Sequence, residues 1–192
     1  MDRGDDAGEH GPRGPYLRFV LMIATSAVAM YALSYLNTYQ ASHVQYSEMR
    51  TYMALMMGAA MAVIMLGFMR GMYRSRRGNI AILTGAALVF FGCLWLVRSQ
   101  ETVQEGSYMR AMIPHHSIAI LTSERADIRD HRVCQLAEGI ITAQRREIKD
   151  MEWLLDDIDE HGLARTAEDA RRRPLPEHHG AEGRSGCMAP AK

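Results

Sequence analysis

The sequence predicts an all-α chain: three transmembrane helices followed by an extracytoplasmic antiparallel helical hairpin. Three observations predict it. Residues 19–97 carry only six charged side chains, Glu48, Arg50, Arg70, Arg74, Arg76 and Arg77, whereas residues 98–192 carry 31. Within the apolar part, three runs each approach the roughly 20 residues that a helix needs to cross a hydrocarbon core. Within the charged part, apolar residues return at steps of three and four, the helical period. The 22 Lys and Arg balance 22 Asp and Glu, and zero net charge argues against a nucleic-acid binder. Three cysteines, Cys93, Cys134 and Cys187, are too few and too scattered for a disulfide scaffold or a Cys-only zinc site.

Residues 1–15 are rich in Gly and Asp and are expected to be disordered. The membrane region follows at 16–98, with spans at about 17–36, 51–70 and 79–98. The first run has no charge from Phe19 through Ser47; the second lies between Arg50 and Arg70, the third between Arg77 and Arg98. For the first run the alternative is a cleaved signal peptide, but the acidic leader (Asp2, Asp5, Asp6, Glu9) and the length favour a retained anchor. For the second and third the alternative is one buried soluble hairpin, which the small charged half is unable to cover.

Basic residues set the orientation. The link between spans two and three carries Arg70, Arg74, Arg76 and Arg77 and no acid, whereas the link between spans one and two has only Arg50. The arginine-rich link is therefore expected in the cytoplasm, with the N-terminus inside and the chain from about Arg98 onward outside. Span two is rich in methionine, from Met49 through Met53, Met56, Met57, Met61, Met65 and Met69 to Met72, mostly at steps of three and four. Two readings stand beside each other: a flexible packing surface between helices, or a row of thioethers that passes on a soft cation such as Cu(I). Composition does not choose between them.

The aqueous domain occupies 101–160, as one helix over about Glu101–Arg129 and a second over about His131–Asp159. In the second, Leu136, Ile140, Gln144, Ile148, Met151 and Leu155 are expected to share one face. The polar segment Asp127–Arg132 is the turn, and two helices joined by so short a turn pack antiparallel. One such hairpin buries little core, so pairing with a second copy through the Ile140/Ile148 face is expected. Residues 163–192 show no apolar period and are expected to form a disordered tail.

The chemistry concentrates in Tyr108–Ile120, YMRAMIPHHSIAI. On a helix, Met109, Met112 and His116 share a face, with His115 at its edge. Pro114 donates no hydrogen bond to the carbonyl of Arg110 and is expected to open or kink the helix. Thioether sulfur selects Cu(I), and imidazole suits copper in either oxidation state. Counting residues from the turn, Met151 approaches Met109, while Gln144 and Glu147 come level with His116 and Met112. The expected site is a Cu(I)-preferring centre on Met109, Met112 and His116, with His115 and Met151 as secondary ligands. The competing reading makes the methionines core and the histidine pair a polar surface feature. The tail residues His178, His179, Cys187 and Met188 are a weaker metal candidate, and Cys134 is expected to pack rather than react. No Glu-x-x-His, His-Glu-x-x-His, Cys-x-x-Cys or glycine-rich phosphate loop occurs, and no general base has a defined partner, so no enzyme is expected.

MIPHH at Met112–His116, followed after a polar turn by LAEGIITAQRREIKDMEWLL at Leu136–Leu155, resembles the domain-of-unknown-function 305 family. The resemblance covers roughly residues 101–160 and is similar to the membrane-anchored bacterial subgroup. It implies a ferritin-like four-helix-bundle fold and, for some members, extracytoplasmic copper binding linked to copper tolerance. The family's first-helix pattern falls on Met109, Met112, Pro114, His115, His116, Ala119 and Ile120. Its second falls on Leu136, Ala137, Ile140, Gln144, Glu147, Ile148, Met151 and Trp153. Many members continue with an acid and a methionine where this chain has Leu121 and Thr122, which removes one sulfur ligand.

The expected function is non-enzymatic copper buffering or tolerance at a multi-pass bacterial inner membrane, with the C-terminal domain periplasmic or extracellular. The expected partners are the lipid bilayer, a second copy of the chain and envelope copper-handling proteins. The alternative is a helical interaction module with no metal role.

Overall fold

The computed structural model describes residues 13–178. Every regular element among them is helical: α1 (Arg13–Leu33), α2 (Glu48–Phe68), α3 (Arg76–Ser99), α4 (Glu105–Arg125), α5 (His131–His161) and α6 (Ala167–Arg172), with a single 3-10 turn at Ala41–His43. The first three, over Gly14–Leu33, Glu48–Phe68 and Arg76–Ser99, are long and apolar enough to cross a membrane. The chain divides into two compact units. One holds the residues up to Ser34 together with Met49–Thr102; the other holds Tyr35–Glu48 and the chain from Val103 onward.

In the first unit α1, α2 and α3 meet through small residues. A Cβ on Gly58 of α2 would come within 3.3 Å of the Ala27 Cβ of α1, the close approach that glycine permits between apolar helices. Phe19, Ala59, Ala62, Leu66, Tyr73 and Ala86 form the buried cluster, with Phe19 and Tyr73 edge to face at 5.1 Å. Tyr16 ties α1 to the start of α3. Its hydroxyl accepts from Ser75 N at 3.0 Å and donates to Asn79 Oδ1 at 2.9 Å. Ser75 itself caps α3 by accepting from Gly78 N. At the other end, Gln100 adopts φ 55°, and its N–H closes on Leu96 O, a left-handed termination of α3.

In the second unit α4 packs on α5, and later residues of α4 meet earlier residues of α5. Gly106 lies near Leu155, His116 near Glu147, and Glu124 pairs with Arg145. Asp130 starts α5 as its N-cap, accepting from Arg132 N at 2.9 Å. The hydrogen bonds from the Arg132 side chain and backbone hold this carboxyl down at about 2. Pro114 is fully buried and does not end α4, which continues to Arg125.

Three expectations need correction. The core face of α5 is Cys134, Ala137, Ile141, Ile148, Met151 and Leu155, whereas Leu136 is 63% exposed. Leu136 precedes Ala137 by one residue, a rotation of about 100° that takes it off this face. Ile148 is spent inside the α4–α5 pair and so is not free to form a surface for a second copy. Cys134 packs on the core face at the start of α5, as expected, and is disulfide-bonded. Finally, the segment from 163 to 178 is ordered in part. Thr166 caps α6 by accepting from Asp169 N at 3.1 Å. Beyond it, Arg173 donates to Asp157 Oδ2 at 2.7 Å and to Gly162 O at 3.1 Å, and His178 Nδ1 lies 2.8 Å from Asp150 Oδ1. The chain therefore turns back along α5. Of the segment 1–15 expected to be disordered, residues 13–15 belong to α1; residues 1–12 and 179–192, and with them His179, Cys187 and Met188, lie outside the described residues.

Candidate metal site

The helical spacing of Met109, Met112 and His116 on α4 aims three donors toward α5. Met109 and Met151 are buried in one cluster with Ile113, Ile120, Ile148 and Leu155, and Met112 packs against its edge. Three of the five expected ligands are thus thioethers of a single apolar core, and that packing is compatible with both readings of the methionines.

His116 differs from a core residue in one respect. Its side chain is 19% exposed, and its Nδ1 is buried without a hydrogen-bond partner. Glu147 Oε2 lies 3.1 Å away, but off the direction a hydrogen bond requires, and accepts from Gln144 Nε2 at 3.3 Å instead. A buried polar atom without a partner carries a desolvation cost of about 1–3 kcal/mol. Burial lowers the pKa of His116 below its ordinary 6.5; the Glu147 charge opposes the shift and His115 adds to it. The ring is accordingly neutral near pH 7, the form that binds a metal. Four residues on from His116 and Glu147 along this pairing, Met112 and Met151 stand level, one turn from the imidazole. Met109, which the sequence reading put beside Met151, shares one buried cluster with it. His115 is exposed, its ring centroid 6.1 Å from that of His116, because adjacent helical residues diverge by about 100°.

Among the described residues no three His, Cys, Asp or Glu side chains come together as a ligand set. The donors fit a soft ion: one unpartnered neutral imidazole nitrogen with Met112 and Met151 a turn away and Met109 in the same core.

The sequence reading missed what stands behind this site. The segment between α1 and α2 folds onto α4: Tyr39 N donates to Ser117 Oγ at 2.7 Å, and His43 Nδ1 lies 2.9 Å from the same oxygen. Ser117 and His43 are both buried. Burial lowers the pKa of His43, against the opposing charge of Glu152. The Ser117 oxygen thus accepts from Tyr39 N and shares a hydrogen bond with Nδ1 of the His43 ring. Partners this far apart leave no local signal. With Ser117 fully buried, the Ser–His contact presents no nucleophile to a substrate.

The molecule is thus of a class that joins three membrane-capable helices to a packed pair of amphipathic helices carrying a Met/His cluster. Residues 105–191 match the family model described as "Domain of unknown function (DUF305)", which supports the family resemblance over that segment. The chain is also similar to "Uncharacterized protein L153" of Acanthamoeba polyphaga mimivirus, 29% identical over 143 residues, covering 71% of this chain and 92% of that protein. That likeness is longer than the matched domain and so extends into the helices before it. Since this relative is viral, it does not support a bacterial setting. No solved structure matches.

Proposed function

We propose that the protein is a membrane-anchored, extracytoplasmic Cu(I)-binding protein that buffers copper or confers tolerance, without catalysing a reaction. The observation that carries this reading is the buried, unpartnered Nδ1 of His116 beside the Met109, Met112 and Met151 cluster. Met112, His116 and Met151 would hold the ion, with Met109 behind them, and His115 would contribute only by reorienting. Bound copper would supply no redox step here; the residues hold and release it. The α4–α5 pair would complete a ferritin-like four-helix bundle with a second copy.

Two features support an extracytoplasmic placement at a membrane such as the bacterial plasma membrane. Arg70, Arg74, Arg76 and Arg77 mark the α2–α3 link as the cytoplasmic one. The disulfide at Cys134 belongs to an oxidising compartment.

The test is Cu(I) competition on the purified full chain against a chromophoric chelator. The parent should hold Cu(I), and Met112→Leu/His116→Ala should weaken that binding at least tenfold while leaving helicity unchanged. Equal affinity in parent and double variant would refute the site. One observation favours a second reading, a helical interaction module: Val133 and Leu136 are exposed on α5, one turn apart. A chain that self-associates with no measurable Cu(I) affinity would establish that reading instead.

A further inference from the structure

The membrane unit carries a second set of soft donors that the α4–α5 site does not use. Met49, Met53, Met57, Met61, Met65 and Met69 follow one another at intervals of four. On a helix, residues four apart are neighbours on one face, about 6 Å along the axis and offset by about 40°. The six thioethers thus form an unbroken ladder that winds slowly around α2 and runs its whole length. Met56, three residues beyond Met53, places a third sulfur in the first turns of the ladder, and Met72 does the same after Met69.

Packing within the unit does not account for this arrangement. The buried positions of α2 are Ala54, Gly58, Ala59, Ala62 and Leu66, none of them a methionine. Met53 and Met57 are 41% and 43% exposed, and Met72 is exposed as well; Met65 and Met69 touch the buried cluster only at its edge. Toward lipid a methionine gains nothing over leucine, and α3, whose span is the more apolar of the two, contains no methionine at all. Eight of the chain's 15 methionines fall between Met49 and Met72. No charged residue interrupts the stretch between Arg50 and Arg70, so no fixed positive charge lies along the ladder, and the thioethers are the groups that would replace the ion's water. Thioethers bind soft Cu(I) and disfavour hard cations, and the three rotatable bonds of methionine let one sulfur reach the next.

We propose that α2 is a Cu(I) relay, in which the ion moves along the helix by ligand exchange between successive methionine thioethers. In each exchange one Cu–S bond forms as another breaks; the copper remains Cu(I), and no proton or electron moves. The inference goes beyond the aqueous site and does not require it.

The test uses the full chain in phosphatidylcholine vesicles that enclose a membrane-impermeant Cu(I) chelator, with ascorbate-maintained Cu(I) added outside. The chelator colour should develop at least tenfold faster than in protein-free vesicles. Met57→Leu/Met61→Leu, two near-isosteric changes in the middle of the ladder, should bring the rate to the protein-free level while circular dichroism stays unchanged. Met22→Leu/Met30→Leu, two methionines of α1 outside the ladder, should leave the rate within twofold of the parent; a fall to the protein-free level there would mean that the ladder of α2 is not the path. A parent rate equal to that of empty vesicles, or a Met57→Leu/Met61→Leu rate equal to the parent's, overturns the relay. Neither result bears on Cu(I) affinity at His116, which the competition assay reads separately.

Discussion

The Ser117 hydroxyl of α4 lies 2.9 Å from Nδ1 of His43, a residue 74 positions earlier in the chain. Together with the bond from Tyr39 N to the same oxygen, it makes residues 35–48 part of the unit that carries the Met/His cluster. Ser117→Ala would leave both the Tyr39 N–H and the His43 ring nitrogen without their partner. A buried polar group so orphaned costs about 1–3 kcal/mol. The expected outcome is a loss of stability in that range, read by denaturant unfolding, with faster amide exchange at Tyr39. Unchanged exchange there would mean that the tether does not form in solution.

His43 and His116 give this unit an acid sensitivity of definite sign. Burial lowers both pKa values from 6.5. As pH falls below about 6.5 the unfolded histidines therefore take up protons before the folded ones. The unfolded state then binds more protons, so stability rises with pH through this window and is fully present above it. The unfolding midpoint should drop between pH 7 and pH 5, and His43→Gln together with His116→Gln should flatten that slope. A midpoint that rises on acidification contradicts the burial of these rings.

These relationships show which features can be read from sequence and which cannot. The three apolar helices were legible because charges bracket them and few interrupt them. The start of α5 was legible because the polar segment Asp127–Arg132 stands just ahead of an apolar period. Its core face was read one position off: the set through Leu136 and Ile140 and the set through Ala137 and Ile141 share Ile148, Met151 and Leu155, so spacing alone admits both. Within the candidate site, the shared face of Met109, Met112 and His116 follows from spacing, and so does the approach of Glu147. The unpartnered Nδ1 does not, since it depends on an angle between two side chains. The docking of Tyr39 and His43 and the return of 163–178 rest on polar contacts between distant segments, which impose no period on either.

The returning segment is held mainly by Arg173. Its guanidinium reaches the Asp157 carboxylate and Gly162 O from a site that is largely shielded from water. Hydrogen bonds to charged groups of this kind contribute about 1.5–3 kcal/mol. Arg173→Ala should release 163–178 from α5, seen as faster limited proteolysis between Leu163 and Leu175, with a global loss of no more than that range. His161 Nδ1 lies 3.2 Å from the Asp157 carboxylate and stays within reach of it, so the helix itself should persist. Protection unchanged from the parent would show that the segment is fixed by other contacts.

Topology is the remaining prediction, and two independent arguments bear on it. The charge argument places the link that contains Arg70, Arg74, Arg76 and Arg77 on the cytoplasmic side. The packing argument needs no charge rule: residues 35–48 and the chain from Val103 onward form one compact unit, so both must emerge on the same side. Three crossings by α1, α2 and α3 meet that requirement, because the first link and the C-terminal domain then share a face and the second link lies opposite. Single cysteines at Gln40, Gly71 and Arg129, all exposed, separate the cases when a membrane-impermeant maleimide is applied to intact cells. Gln40→Cys and Arg129→Cys should react at least tenfold faster than Gly71→Cys, which should react only after lysis. Labelling of Gly71→Cys alone in intact cells would invert the orientation but keep the packing argument. Opposite behaviour of Gln40→Cys and Arg129→Cys would break the second unit and, with it, the tether between His43 and Ser117.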